Sequence, residues 1–317
     1  MSLFIQQVVN GIGVGCLYAL VALGYSMVYG VLRMVNFAHG ELFMLGPMFA
    51  IVLLRASGVV RGHLNLISGT LTGSRMAMVL AMCFVGGAAF SAVAGLLMER
   101  IAYRPLRKGI AATGIISSLG VSLTMQNAAM LVFGRAQKGF PSILPVKHYR
   151  LAGATFSNMQ VFIIALTFAL VLVLSYLINR TYVGRCFRAV ALDRCMSGLM
   201  GVNVNQVISF VFVLGPALGA ASGVLFAMSY GQVYYLMGGN IGIKGWIAAI
   251  IGGIGNMWGA VLGGLLLGTL EVVGAGYLPL ITKGALGSEY RHIFSFIALI
   301  LFLVFRPQGL FGRKGGS

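Results

Sequence analysis

Charge-free apolar stretches recur along most of the chain, and short polar connections separate them. Val8–Leu32 carries no charge, and Met76–Met98, Ile110–Gly134, Thr155–Asn179 and Val207–Tyr230 are comparably long and apolar. Crossing a bilayer core takes roughly 20 apolar residues at about 1.5 Å each, so each stretch predicts one membrane-spanning helix. A segment running to Leu54, a Gly-rich run from Gly245 to Leu270, and Ile293–Phe305, bracketed by Arg291 and Arg306, complete the set. The pattern predicts an all-α, polytopic integral membrane helix bundle of about eight transmembrane helices plus a re-entrant segment. It reads as one domain over 1–317.

Finer features mark which helices pack inside. Gly11, Gly13 and Gly15 let a neighbour approach the first helix closely, and Gly259, Gly263 and Gly264 offer a second such face. Ser117, Ser118, Ser122, Thr124, Gln126 and Asn127 make the fourth helix unusually polar, so it should face neighbours or a cavity rather than lipid. Pro216 predicts a kink in the sixth long segment. Gly252-Gly253-Ile254-Gly255-Asn256 cannot easily stay helical and predicts a break followed by a restarted helix.

Composition fixes the class. The chain is 59% hydrophobic and 9% charged, with mean hydropathy +0.96, far too apolar for the surface of a soluble domain. Its net charge of +17 is spread over many connections without interleaved aromatics, which argues for loop anchoring and against nucleic acid. Membrane lipid is therefore the expected surrounding. Cys16, Cys83, Cys186 and Cys195 lack CxxC spacing and His partners, so no metal is expected. No basic residue precedes the first apolar run, so that run is expected to stay as a span. By the positive-inside tendency, residues 99–108, 180–206 and the tail are placed in the cytoplasm.

Three clusters are candidate functional sites. Asn36, Phe37, His39 and Glu41 stand at the mouth of the second apolar segment; Glu41 reads either as a helix-capping carboxylate or as part of a transport path. Gly252, Gly253, Gly255 and Asn256 read either as irregular backbone lining that path or as a plain packing interface. Arg180–Gln206 is a polar island whose apolar residues Leu192, Met196 and Met200 recur every fourth position, predicting one short helix with Arg185 and Arg188 near its start. It reads either as an ordinary basic loop or as a docking helix for a cytoplasmic subunit.

Several segments together resemble the permease subunits of bacterial branched-chain amino acid ABC importers, the LivH-type proteins. They are Leu17–Gly30, Val35–Gly46, Gly184–Ala189, Leu199–Asn203, Gly252–Gly268 and Phe305–Gly312, and the resemblance runs over essentially the whole chain. It implies that 180–206 is the coupling loop seated on an ATPase subunit, with Arg185, Arg188, Asp193, Met196 and Gly201 as contact residues. Cys195-Met196-Ser197-Gly198 departs from the family pattern, which has a Glu and small Ala residues there. The resemblance further implies a second, homologous permease as a heterodimer partner, two cytoplasmic ATPase subunits and an extracytoplasmic solute-binding protein in a bacterial inner membrane. Leucine, isoleucine and valine are the substrates it implies; urea, short amides or other amino acids are the alternatives. No phosphate loop or catalytic motif occurs on this chain, so no catalytic residue and no cofactor are expected here. ATP and Mg²⁺ belong on the partner ATPases. An ion-coupled transporter or a channel is the rival reading, resting on Glu41 and Glu271; a membrane-embedded enzyme has no motif behind it.

Overall fold

The computed structural model describes residues 2–61, 66–67, 73–108, 111–151, 154–283, 287 and 290–312. Parts of the predicted 55–75 loop, the start of the fourth stretch at Ile110, and the tail beyond 312 lie outside the described residues.

The long apolar stretches are helices: α1 Ser2–Leu32, α2 His39–Ala56, α3 Gly73–Met98, α4 Ala111–Phe133, α5 Asn158–Arg180, α8 Val204–Tyr230 and α10 Met257–Ile281. Each of these seven is long and apolar enough to cross a membrane. Short helices α6 Tyr182–Leu192 and α7 Arg194–Leu199 lie between α5 and α8, while α9 Met237–Gly252 has 16 residues and α11 Arg291–Phe305 has 15. The protein is thus a multi-pass membrane helix bundle; the expected count of about eight is met by the seven long helices with α11. Among the described residues, strands are confined to three two-stranded pairs: Val60–Arg61 with Leu66–Ile67, Lys138–Gly139 with Gln232–Val233, and His148–Leu151 with Ala154–Ser157.

Contacts divide the chain into two units. The first comprises residues 1–26, 146–171 and 244–317. Here α1 lies directly on α10. A Cβ at Gly15 would come 2.7 Å from the Leu265 Cα, and one at Gly11 equally close to the Thr269 Cα, so Gly11 and Gly15 form the predicted packing face, while a Cβ at Gly13 would meet only Gln160 at 3.9 Å. Gln6 and Asn10 tie the start of α1 to the end of the 148–157 hairpin and to α5. Gln6 bonds both backbone groups of Thr155, and Gln160 Nε2 donates to Asn10 Oδ1 at 2.8 Å.

The second unit comprises residues 27–145 and 172–243. Its centre is α2, packed on α3 and α8. A Cβ at Gly46 would stand 2.7 Å from the Ala220 Cα, and one at Gly87 2.9 Å from the Gly46 carbonyl. Ser91 Oγ of α3 donates to the Leu42 carbonyl at 2.9 Å. Pro216 leaves α8 a single helix. Its missing N–H frees the Phe212 carbonyl, and Gly95 of α3 lies against that carbonyl and the proline ring, where a side chain would collide. The 99–108 connection, expected as a loop, is largely helical: a π-turn at Glu99–Tyr103 extends α3 and a 3₁₀ turn follows. Glu99 is buried there and accepts a hydrogen bond from Ser209 Oγ at 3.1 Å.

Candidate functional site

The first cluster lies in the second unit, where the start of α2 meets the middle of α4 and of α8. Glu41 is in the first turn of α2 and only 1% exposed. Its Oε1 accepts from Ser122 Oγ at 3.0 Å and Gln126 Nε2 at 2.7 Å, both from the middle of α4. Gly219, near the middle of α8, lies beside His39; a Cβ there would be 3.8 Å from Nε2. Of the polar positions of α4, Ser122 and Gln126 face the neighbouring α2, whereas Thr124 and Asn127 are exposed and bond carbonyls of their own helix. Glu41 does stand in the first turn of α2, as the capping reading requires, but Ala38 is the N-cap, no side chain caps the helix, and the carboxylate bonds across to α4.

Two helix starts meet at this level. A Cβ at Gly40 of α2 would stand 2.8 Å from the Gly242 Cα of α9, and one at Gly238 would be 2.7 Å from Glu41 Oε2. Oε2 itself has no hydrogen-bond partner among the described residues. Asn36 is buried in the turn before α2; its Oδ1 accepts from Tyr103 Oη at 2.6 Å, whereas its Nδ2 finds no partner among the described residues. Phe37 is half-buried next to it.

The glycine break belongs to the first unit and has the predicted form. α9 stops at Gly252, Gly253 and Gly255 take φ of 100° and 90°, and Asn256 starts α10 by accepting from the Gly259 amide at 3.1 Å. Those φ values suit glycine and strain other residues. The tail grips the break: Leu310 N donates to the Ile251 carbonyl at 2.9 Å, Phe311 N to that of Gly252 at 3.1 Å, and Asn256 Nδ2 to that of Phe311 at 3.1 Å. These bonds satisfy backbone groups that the end of α9 leaves open. Sequence reasoning picked out both Gly252–Gly268 and Phe305–Gly312 without pairing them.

The 180–206 stretch forms two helices where one was expected. Asp193 ends α6 and caps α7, its Oδ1 accepting from Cys195 N at 2.8 Å and Met196 N at 3.0 Å. An N-cap carboxylate satisfies two open amides, and that local gain overrides a four-residue apolar period running through it. Thr181 caps α6 and Gly201 closes the stretch at φ 84°. Arg188 donates to the Ile178 carbonyl at the C-terminal end of α5, where a cation is favoured. Arg194 Nε donates to the Val31 carbonyl at 2.7 Å. Burial, then the neighbouring Arg33 charge, push the Arg194 pKa below its ordinary value. Arg185 points outward, its guanidinium 5.6 Å from the Tyr182 ring centre. The apolar residues of the stretch are exposed: Met196 by 61% and Met200 by 84%, with Leu192 and Leu199 beside them.

One polar node escaped the sequence reading. Lys244 of α9 and Glu271 of α10 form a buried ion pair at 2.5 Å in the first unit. Tyr18 Oη of α1 accepts from Lys244 at 3.0 Å and donates to Glu271 at 3.2 Å; Ser295 Oγ of α11 donates to Glu271 at 2.9 Å. Arg291 stands 3.5 Å from the same carboxylate. The available signal was that a lone Lys and a lone Glu in apolar helices each need a partner.

Comparison with known proteins adds the following. Residues 7–303 match the family model described as "Branched-chain amino acid transport system / permease component". The high-affinity branched-chain amino acid transport system permease protein BraD of Pseudomonas aeruginosa is 40% identical over 317 residues, covering 98% of this chain and 96% of that protein. LivH of Escherichia coli K12, a permease of the same description, is 37% identical over 314 residues with the same coverage. The autoinducer 2 import system permease LsrC of an Enterobacter species is 30% identical over 174 residues, covering 52% of this chain and 49% of its own.

Proposed function

This chain belongs to the family of branched-chain amino acid transport system permease components, and from that premise we propose that it forms one half of the membrane pathway of an ATP-driven importer for leucine, isoleucine and valine. The whole of 1–317 acts as one permease domain in the bacterial inner membrane. A second homologous permease, two cytoplasmic ATPase subunits and an extracytoplasmic solute-binding protein complete the assembly. ATP and Mg²⁺ are held by the ATPases, and this chain carries out no chemistry of its own.

The observation that carries the coupling part of this reading is the exposed face of α6 and α7. Leu192, Met196, Leu199 and Met200 lie open to solvent on two capped helices beside the outward-pointing Arg185. Such a face is stable in water only against a partner. Arg185, Met196, Asp193 and Gly201 are the contact or shaping residues, and Arg188 fastens the pair to the end of α5. Closure of the ATPases on ATP pushes this surface, and the bundle tips from outward-open to inward-open around Asn36, Phe37, His39 and Glu41 at the start of α2. Gly252, Gly253, Gly255 and Asn256 let α9 and α10 move as a hinged pair.

The test is ATP-dependent uptake of radiolabelled leucine in proteoliposomes that contain the full importer. Arg185 is the better probe than Arg188, whose loss also uncaps α5. With Arg185→Glu and Met196→Asp, uptake is expected to fall about tenfold or more, the effect of placing unpaired charge in an interface, while the permease pair stays assembled. Wild-type uptake in both variants refutes the docking surface. ATP-independent uptake refutes the importer, and binding-protein-stimulated hydrolysis without leucine uptake redirects the substrate to urea and amides.

A further inference from the structure

The carboxylate of Glu41 lies in the first turn of α2 against the middle of α4, 1% exposed, with both of its hydrogen-bond donors on one oxygen. Ser122 and Gln126 fix Oε1, which leaves Oε2 turned toward the opening turn of α9 with no partner among the described residues. A buried carboxylate oxygen left bare costs free energy, and natural proteins keep such a group where something else comes to it. Ionisable groups buried among the spans of a membrane protein mark the route of a solute.

The surroundings specify the solute's chemistry. The first turn of α9 consists of Met237, Gly238, Gly239 and Asn240, and the first amides of any α-helix have no acceptor within their own helix. They form the positive end of the helix dipole, a seat for an anionic group. Gly238 and Gly239 bare this backbone. At Gly239 a Cβ would come into ordinary van der Waals contact with Gln126 Nε2 at 3.4 Å and Glu41 Oε1 at 3.9 Å, so this glycine lies directly beside the carboxylate. A negative oxygen and a positive helix end lie side by side, the complement of a small molecule bearing one cationic and one anionic group on adjacent atoms.

We propose that Glu41 and the opening turn of α9 form a recognition site for the zwitterionic backbone of a free amino acid. Oε2 accepts the α-ammonium and the open amides of Gly238 and Gly239 bind the α-carboxylate. The inference rests on the importer reading above and narrows it: a neutral solute such as urea or an amide leaves both halves of the site unpaired. The site is closed in this conformation and opens as α9 draws away from α2.

The experiment measures leucine accumulated per ATP hydrolysed in proteoliposomes holding the complete importer, for wild type, Glu41→Asp, Glu41→Gln and Gly239→Ala. Glu41→Asp keeps the charge and retains most of the wild-type ratio. Glu41→Gln lowers the ratio about tenfold or more, as expected when a charge-assisted hydrogen bond to the solute is lost. Gly239→Ala makes only ordinary van der Waals contact and so folds, yet its methyl group occupies solute space, and the ratio falls with it. A structural role for Glu41 would depress uptake and hydrolysis together at constant ratio, and that outcome overturns the site. So does a wild-type ratio in Glu41→Gln or in Gly239→Ala. A wild-type importer that hydrolyses ATP but takes up no leucine overturns the site together with the amino-acid substrate, whereas leucine uptake without ATP overturns instead the importer reading beneath it.

Discussion

Replacing Glu271 by Gln removes the one counter-charge bonded to Lys244 among the described residues, and the two ends of this ion pair should respond unequally. Lys244 is 4% exposed and otherwise has only the Tyr18 hydroxyl and ring. Stripping the partner from a buried charge costs about 3–5 kcal/mol, the range expected for Glu271→Gln. Lys244→Met is milder. It leaves the carboxylate with Ser295, Tyr18 and Arg291, whose side chain is 44% exposed and free to adjust, so the expected cost is about 1–3 kcal/mol. Lys244→Met combined with Glu271→Leu removes both charges, and since apolar replacement of a buried pair is often near neutral, the double variant should be about 2 kcal/mol or more stabler than Glu271→Gln. Unfolding of the purified chain in mixed micelles, titrated with a denaturing detergent and followed by tryptophan fluorescence, reads these values. Trp246 and Trp258, the only tryptophans, flank the α9–α10 region concerned. If Glu271→Gln costs no more than Lys244→Met, or the double variant is as unstable as Glu271→Gln, the reasoning from unpaired charge is wrong.

Gly253→Ala should loosen the grip of the tail: φ is 100° and the new Cβ would stand 2.6 Å from the Gly312 amide. The left-handed conformation alone costs about 1–3 kcal/mol, and the measurable sign is faster hydrogen exchange at the Leu310 and Phe311 amides. Unchanged exchange there would mean that the tail holds by other means. Asp193→Ala removes the cap of α7 at about 1 kcal/mol, so exchange at Cys195 and Met196 should speed up and ATP-driven uptake should drop. Asp193→Asn keeps an accepting oxygen and should stay near wild type; an Asn variant as impaired as Ala would instead assign the role to the negative charge.

The sequence determined the class, the spans and the break. Long apolar runs have one stable answer in a bilayer, because only a helix satisfies its own backbone there, and α1, α3, α4, α5, α8 and α10 lie where hydropathy puts them. Gly252 to Asn256 announced the α9–α10 break because the φ values of Gly253 and Gly255 are a local property of glycine. Even the error at Asp193 was local, a capping side chain read through as part of a helical period. The tertiary structure alone decided which polar residues meet. Lys244 finds Tyr18 across 226 positions and Glu41 finds Gln126 across 85, pairings that leave no periodic trace in the chain. Hydropathy records only whether a residue faces oil or water, whereas a hydrogen bond depends on two helices arriving at the same depth and rotation. The orientation of Glu41 across to α4, the tail laid on the glycine break and the bare oxygen facing α9 follow from packing, set by small residues such as Gly40, Gly46 and Gly238 that let the backbones approach.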